Sequence, residues 1–236
     1  MEKPATRSIK NEHQLSPTRR TIASRLYKSY NDAIHVTLNR NARVPNVDWA
    51  LERLADNTET APSIVDVILK SVSTALNTYP GFNATYDDEK QTHRVYKEHN
   101  IGTAVDTDNG LVVPVLNDIR NDSIADIHGN RQKIMQRVQS GSFNMSDLEN
   151  GTFTISNLGP LGIDSFNPII NPPQIAILGI GRMREQGGGS GQSEDESNMI
   201  TLSLSFDHRV VDGADGARFL REIINSINNI LAEAGS

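Results

Sequence analysis

Apolar residues recur along this chain at two alternating periods, one helical and one of strands. Ser16-Pro17 reads as an N-cap followed by proline at the first helical position, and Ile22, Leu26 and Tyr30 continue at four-residue spacing to about residue 31. Residues 35–44 then alternate, with Val36, Leu38, Arg40, Ala42 and Val44 on one face of a strand. A short helix is expected over 47–55. Pro62-Ser63 opens a stronger helix whose stripe is Ile64, Ile68, Val72, Ala75 and Tyr79.

The period then shifts to that of strands. Residues 82–86 and 94–97 should pair around the polar turn 87–90, and 101–105 should pair with 111–116 around Asn109-Gly110. Ser123 caps a helix carrying Ile124, Ile127, Ile134, Met135 and Val138. Residues 151–156 and 174–180 read as buried strands joined by a long loop rich in glycine, proline and asparagine. Leu202, Leu204 and Phe206 share one face of a last strand, and Leu220, Ile223, Ile224, Ile227 and Ile230 line a last helix over 215–231. Between these strands, residues 187–197 are low in complexity and read as a mobile loop, a flexible connector in composition. Helices and strands interleave throughout, which predicts an α/β fold with a mixed sheet.

Length allows one large domain, residues 16–236, behind a flexible leader or linker at 1–15. A net charge of -6 argues against a nucleic-acid partner, and no apolar run is long enough to span a bilayer or serve as a signal-peptide core. There are no cysteines, which excludes disulfides, thiolate zinc sites and cysteine nucleophiles.

One histidine stands apart from the other five. His208 falls just past the 201–206 strand and ahead of the last helix, a junction where a rigid element fixes the backbone while the loop exposes the side chain. Histidine titrates near neutrality and can take a proton there. Asp212 follows four residues later, then Gly213. The plainer alternative is that Asp212 caps the helix, with Asp215 as its acidic first turn. His13, His35, His93, His99 and His128 lack a comparable setting, no pair has metal-ligand spacing, and no metal is expected.

Asp207-His208-Arg209-Val210-Val211-Asp212-Gly213, preceded by Leu202-Ser203-Leu204-Ser205-Phe206, resembles the signature of the dihydrolipoamide acyltransferases at the cores of 2-oxoacid dehydrogenase complexes. His-x-x-x-Asp-Gly alone is shared with chloramphenicol acetyltransferase and condensation-type acyltransferases. Further segments separate them: Phe153-Thr154-Ile155-Ser156-Asn157-Leu158-Gly159, Ile169-Ile170-Asn171-Pro172-Pro173-Gln174, Gly110-Leu111-Val112-Val113-Pro114-Val115 and Arg20-Thr21-Ile22-Ala23-Ser24-Arg25-Leu26 also resemble the family's motifs, in order. The likeness runs from about residue 16 to about 232.

That resemblance implies a chloramphenicol-acetyltransferase-like two-layer sandwich and acyl transfer between an S-acyl-dihydrolipoyl group and coenzyme A. It implies His208 as general base, Ser156 as donor to the oxyanion and Asp212 as a residue that holds the loop, with Arg25 a candidate partner for the acid. His35 falls near the family's substrate channel, and Asn171-Pro172-Pro173 reads as a stiff turn around the site. Coenzyme A enters as a substrate, its contact residues unassigned, and the lipoyl group comes from another domain or chain. The expected assembly is a homotrimer or larger symmetric core, with other complex subunits as further partners and the active site at a subunit boundary. The expected location is the cytoplasm of a prokaryote or a mitochondrial matrix. No lipoyl or peripheral-subunit-binding domain precedes the first helix, so the chain reads either as an excised core or as a standalone enzyme. Two other readings stay open: a non-catalytic scaffold subunit, and an acetyltransferase of this fold with a small-molecule acceptor.

Overall fold

The computed structural model describes residues 8–45, 47–55, 61–107, 110–186 and 197–234. Residues 8–15 are exposed and carry no regular structure. Helix α1 spans Pro17–Asp32, and its predicted cap is present, with Ser16 Oγ accepting from Arg19 N at 3.2 Å. Its apolar stripe is only partly covered by the other described residues. Ile22 and Leu26 are half-buried, Tyr27 and Tyr30 are 74% and 65% exposed, and Ser29 is its one buried residue.

A strand β1 (His35–Pro45) and a short helix α2 (Val47–Arg53) follow. Helix α3 (Ile64–Thr78) starts where Asp66 accepts from Ser63 N at 2.7 Å and Ser63 Oγ at 3.0 Å. It buries Val67, Ile68, Leu69, Val72, Ala75 and Leu76. In the hairpin, β2 (Ala84–Asp87) starts two residues later than expected, because Pro80–Phe82 form a 3-10 turn ahead of it, and β3 (Thr92–Val95) lies two residues earlier.

Strand β4 (Ile101–Ala104) meets β5 over only Val115–Leu116, shorter than the expected 111–116. Pro114 has no N–H to give, and it contributes only its carbonyl, which accepts from Thr103 N at 2.9 Å. The expected pairing is present as Ile101 to Leu116 and Gly102 to Val115, and continues as one bridge, Val105 to Val112. Asn109 of the expected turn lies outside the described residues.

Helix α4 (Ile124–Gln139) carries its predicted Ser123 cap, with Ser123 Oγ accepting from Asp126 N at 3.1 Å. Strand β6 (Phe153–Asn157) comes next. Strands β7 (Ala176–Gln186) and β8 (Ser197–Asp207) run longer than expected, and residues 187–196 of the expected loop lie outside the described residues. Helix α5 (Gly213–Ala234) closes the chain.

The main sheet has the order β1-β8-β7-β6-β4-β5. The pairs β4 with β6 and β6 with β7 are parallel, and the others antiparallel, so the sheet is mixed as predicted. The two core helices α3 and α5 pack on each other over one face. There Phe82 and Phe219 stack with 4.2 Å between ring centroids, while Phe206 and Phe153 meet this pair edge-on. Such pairs contribute about 0.5–1.5 kcal/mol each beyond their buried area. Helix α5 approaches the sheet closely at Gly216, where a Cβ would stand 2.6 Å from Phe206 Cε1. On the opposite face, the loop between β6 and β7 lies over Gly181, whose missing Cβ leaves room for the Asp164 carbonyl.

Candidate active site

Strand β8 ends at Asp207, and the chain turns through residues 208–212 before α5 begins. The turn has its own backbone bonds: Val210 N and Val211 N both donate to Asp207 O, at 3.1 and 3.2 Å. Asp215 N and Gly216 N donate to Asp212 O at 3.0 Å, so Asp212 is the residue from which the helix departs. Its carboxylate is exposed and accepts no hydrogen bond from the described residues. The capping alternative therefore holds for the backbone of Asp212 and not for its side chain.

His208 is exposed, with its backbone fixed and its ring open. His208 N donates to Ile34 O at 2.8 Å, and the ring lies 6.0 Å from the Phe206 ring. Its Nε2 faces Gly213, where a Cβ would come within 3.9 Å.

The residues on either side of it form a charged brace. Asp207 is 3% exposed. Its carboxylate accepts from Ile34 N at 3.2 Å, from Arg209 N at 3.1 Å, and from Arg209 Nε and Nη2 at 3.0 and 2.7 Å. The Asp207 carboxylate in turn holds the Arg209 guanidinium above its ordinary pKa. Arg209 also reaches the β2–β3 hairpin, where Nη1 donates to Asp88 Oδ1 at 2.9 Å and the guanidinium carbon lies 4.7 Å from the Tyr86 ring centre.

This corrects the expectation for Arg25. It does not meet Asp212; its Nη2 donates to Pro172 O at 3.3 Å. The arginine that pairs with an acid here is Arg209, two residues from its partner, and Tyr86 and Asp88 have no signal in the linear sequence that links them to it.

His35 also has both ring nitrogens engaged. Nε2 accepts from Ile170 N at 3.2 Å, which places the proton on Nδ1, 3.3 Å from Ala33 O. It ties the start of β1 to the segment before Asn171-Pro172-Pro173. That segment is further held by Ser29 Oγ, which donates to Ile170 O at 2.6 Å. The Pro172–Pro173 bond is cis.

Ser156 is half-buried near the end of β6, between Ala104 on β4 and Gly179 on β7. Gly179 is paired with Ser203 on β8, so Ser156 is level with Ser203, two strands across. Asp207 lies four residues further along β8. At about 3.3 Å per residue and about 4.8 Å per strand spacing, this separates the base of the His208 loop from Ser156 by about 16 Å. The structure does not bring Ser156 and His208 of one chain together.

Two cavities of about 650 Å³ each flank the hairpin and share Arg25, Thr85, Tyr96, Pro172, Pro173 and Gln174 in their walls. The first is also lined by Asp207 and Arg209, and neither is lined by His208 or Ser156. Among the described residues no group of three or more His, Cys, Asp or Glu side chains is placed to hold a metal ion, and no helix is long and apolar enough to cross a membrane. His99 and His128 are buried and structural. His99 Nδ1 lies 2.8 Å from Ser73 Oγ and burial lowers its pKa, while His128 Nδ1 lies 3.0 Å from Asp66 Oδ2.

The dihydrolipoyllysine-residue acetyltransferase component of the Haemophilus influenzae pyruvate dehydrogenase complex is 40% identical over 166 residues, 70% of this chain and 29% of that protein. The dihydrolipoyllysine-residue succinyltransferase component of the Rickettsia typhi 2-oxoglutarate dehydrogenase complex is 34% identical over 92% of this chain and 55% of its own length. The chain thus spans little more than half the length of these relatives, or less.

Among solved structures, the Azotobacter vinelandii dihydrolipoamide acetyltransferase superposes with a TM-score of 0.85 at 27% identity, over 97% of this chain and 98% of that one. In that protein a serine, a histidine and an asparagine have been investigated for their role in the catalytic mechanism. The serine precedes the histidine by 52 positions and the asparagine follows it by four, the intervals that separate Ser156, His208 and Asp212 here. A chloramphenicol acetyltransferase shares the fold alone, with a TM-score of 0.55 at 13% identity over 87% of this chain and 94% of that one. The sequence profile of the 2-oxoacid dehydrogenases acyltransferase (catalytic domain) matches residues 8–233, so the chain belongs to that family.

Proposed function

We propose that this chain is a dihydrolipoyl acyltransferase domain that moves an acyl group between an S-acyl-dihydrolipoyl group and coenzyme A. In this reading the active site lies between two copies of the chain, His208 coming from one and Ser156 from the other. The observation that carries the proposal is the sheet register. Both residues stand at the interval that separates the serine and the histidine of the Azotobacter protein, yet about 16 Å of sheet separates them within one chain.

The surroundings of each half support the same arrangement. Ile34, whose carbonyl holds His208, is 60% exposed. In the turn after β6, Leu161 and Ile163 are 74% and 39% exposed. With Tyr27 and Tyr30, these are large apolar side chains beside both half-sites, a surface suited to burial against a second copy. A closed ring of such head-to-tail contacts gives a trimer or a larger symmetric core.

The chemistry follows from the donors and acceptors in place. A thiol of pKa about 8.5 is mostly protonated at neutral pH. The exposed His208 ring takes the proton from the coenzyme A thiol as its sulfur attacks the thioester carbonyl. A carbon–sulfur bond forms, and negative charge collects on the carbonyl oxygen, to which the neighbour's Ser156 Oγ donates a hydrogen bond. As the tetrahedral centre collapses, the bond to the dihydrolipoyl sulfur breaks and His208 returns the proton to it. No acyl-enzyme forms. Asp212 holds the turn rather than exchanging a proton: its backbone carbonyl starts α5, and an asparagine at the same interval in the Azotobacter protein offers the same acceptor oxygen without a titrating group. The lipoyl group arrives on another domain or chain, in a compartment that holds coenzyme A, the cytoplasm or a mitochondrial matrix. Residues 16–236 act as the catalytic domain, behind a linker at 1–15.

The experiment is thioester exchange with acetyl-, succinyl- and branched-chain acyl-CoA as donors and free dihydrolipoamide as acceptor, on the assembled protein. Turnover with one of these donors is expected. Absence of turnover with all three, in an assembled sample, overturns the proposal and leaves the scaffold reading and the reading with a small-molecule acceptor.

A further inference from the structure

Two neighbours of His208 in the chain do more than complete a motif. The Asp207 carboxylate is buried and receives bonds from Ile34 N, Arg209 N and two nitrogens of the Arg209 guanidinium. The far side of that guanidinium leaves the loop. It lies over the Tyr86 ring at 4.7 Å and donates to Asp88 at 2.9 Å, 121 residues away in sequence. His208 therefore stands between two residues whose side chains grip each other, and the grip is fastened to the hairpin.

The hairpin is itself a fixed abutment. Tyr86 N donates to Pro173 O at 3.4 Å, Thr85 bridges to Gln174, and Gln174 Oε1 accepts from Thr154 Oγ1 on β6 at 2.6 Å. By contrast the His208 ring is exposed and takes no side-chain hydrogen bond among the described residues. Its orientation depends on the backbone that carries it.

We infer that Arg209, clamped between Asp207 and the Tyr86–Asp88 end of the hairpin, is a positioning residue that sets the aim of the His208 ring toward the substrate. The inference rests on the acyl-transfer reading above. It assigns no proton transfer and no substrate contact to Arg209. A planar fork that meets both carboxylate oxygens while stacking on an aromatic ring is a task for arginine that lysine cannot repeat. Displacement of a catalytic group by about 1 Å can cost about a hundredfold in rate.

The test compares Arg209→Lys, Tyr86→Leu and Tyr86→Phe with the wild type. The readouts are kcat and KM for thioester exchange, assembly mass by light scattering, and the ring resonances of His208 in histidine-labelled protein. Arg209→Lys should lower kcat by about ten- to a hundredfold with KM within about twofold, the assembly unchanged and the His208 ring signals shifted. Tyr86→Leu, at the distant end of the brace, should lower kcat by a few-fold in the same pattern, and Tyr86→Phe, which keeps the ring face, should restore it. Wild-type kcat and unshifted His208 signals in both Arg209→Lys and Tyr86→Leu overturn the inference. If Arg209→Lys fails to assemble, Tyr86→Leu decides by the same readouts. If the wild type itself shows no turnover, the acyl-transfer reading fails, and the His208 resonances in Tyr86→Leu still decide whether the hairpin sets the ring: shifted signals support the brace and unshifted ones overturn it.

Discussion

About 16 Å of one sheet separates Ser156 from the base of the His208 loop, Ser156 being level with Ser203 on β8 and His208 lying just beyond Asp207 at the end of that strand. A hydroxyl and an imidazole that act on one thioester must lie within a few ångströms of it. The proposed acyl transfer therefore takes two chains for one site, with each chain contributing to two sites.

Replacing the two partners should have separable effects. His208→Ala should lower kcat by about 10²–10⁴-fold through loss of the base. Ser156→Ala should cost about 10²–10³-fold through loss of the oxyanion donor, with little change in KM. Steady-state thioester exchange on samples of unchanged assembly mass measures both. Near-normal kcat in either variant removes that residue from its role.

Asp212 should tolerate loss of charge. Asp212→Asn keeps the acceptor oxygen and the backbone carbonyl that receives Asp215 N and Gly216 N, so its kcat should stay within about threefold of wild type, about 0.7 kcal/mol. A pH–rate profile that loses a limb in Asp212→Asn would identify Asp212 as a proton carrier instead.

The buried Asp66 should govern acid stability. Burial alone would raise its pKa, but Arg131, with Nε at 2.6 Å, the Ser63 N–H and His128 outweigh it and hold the carboxyl below the ordinary range. Its contribution is fully present above the unfolded-state value of about 3.9 and is lost as pH falls through the lower folded value. Asp66→Asn, leaving Arg131 with no carboxylate, should destabilise the fold by about 3–5 kcal/mol at pH 7. It should also flatten the fall in stability below about pH 4. Denaturant titrations at several pH values test both.

Much of this fold could be read from the residues themselves. Ser16, Ser63 and Ser123 mark three helix starts because capping is a local bond, and the alternation of Leu202, Leu204 and Phe206 matches a strand whose one face packs on helices. The placement of His208 just past a strand end was legible for the same reason, a short-range pattern. The limits have physical causes as well. Pro114 cut the expected strand at 111–116 to two residues by removing a donor. Strand β7 runs on through Arg182, Arg184 and Glu185, whose polarity hides a strand that pairs along its backbone. Arg25 was expected beside Asp212 and instead meets the Pro172 carbonyl, while Arg209 is held by Asp207 and Asp88, because which charges meet is decided by tertiary placement. The separation of Ser156 from His208 is a matter of strand order, and no spacing along the chain reveals it.

Mixing two inactive variants tests the shared site most directly. His208→Ala and Ser156→Ala subunits are unfolded or dissociated together, reassembled at equal amounts, and assayed for thioester exchange against each variant reassembled alone. If each site takes its histidine from one chain and its serine from the next, about one site in four in the mixture carries both intact groups, and activity should rise to about a quarter of wild type. If both residues act within one chain, no site in the mixture is intact. Activity that stays at the level of the separate variants, in a mixture shown by mass to contain both kinds of subunit, contradicts the interfacial site.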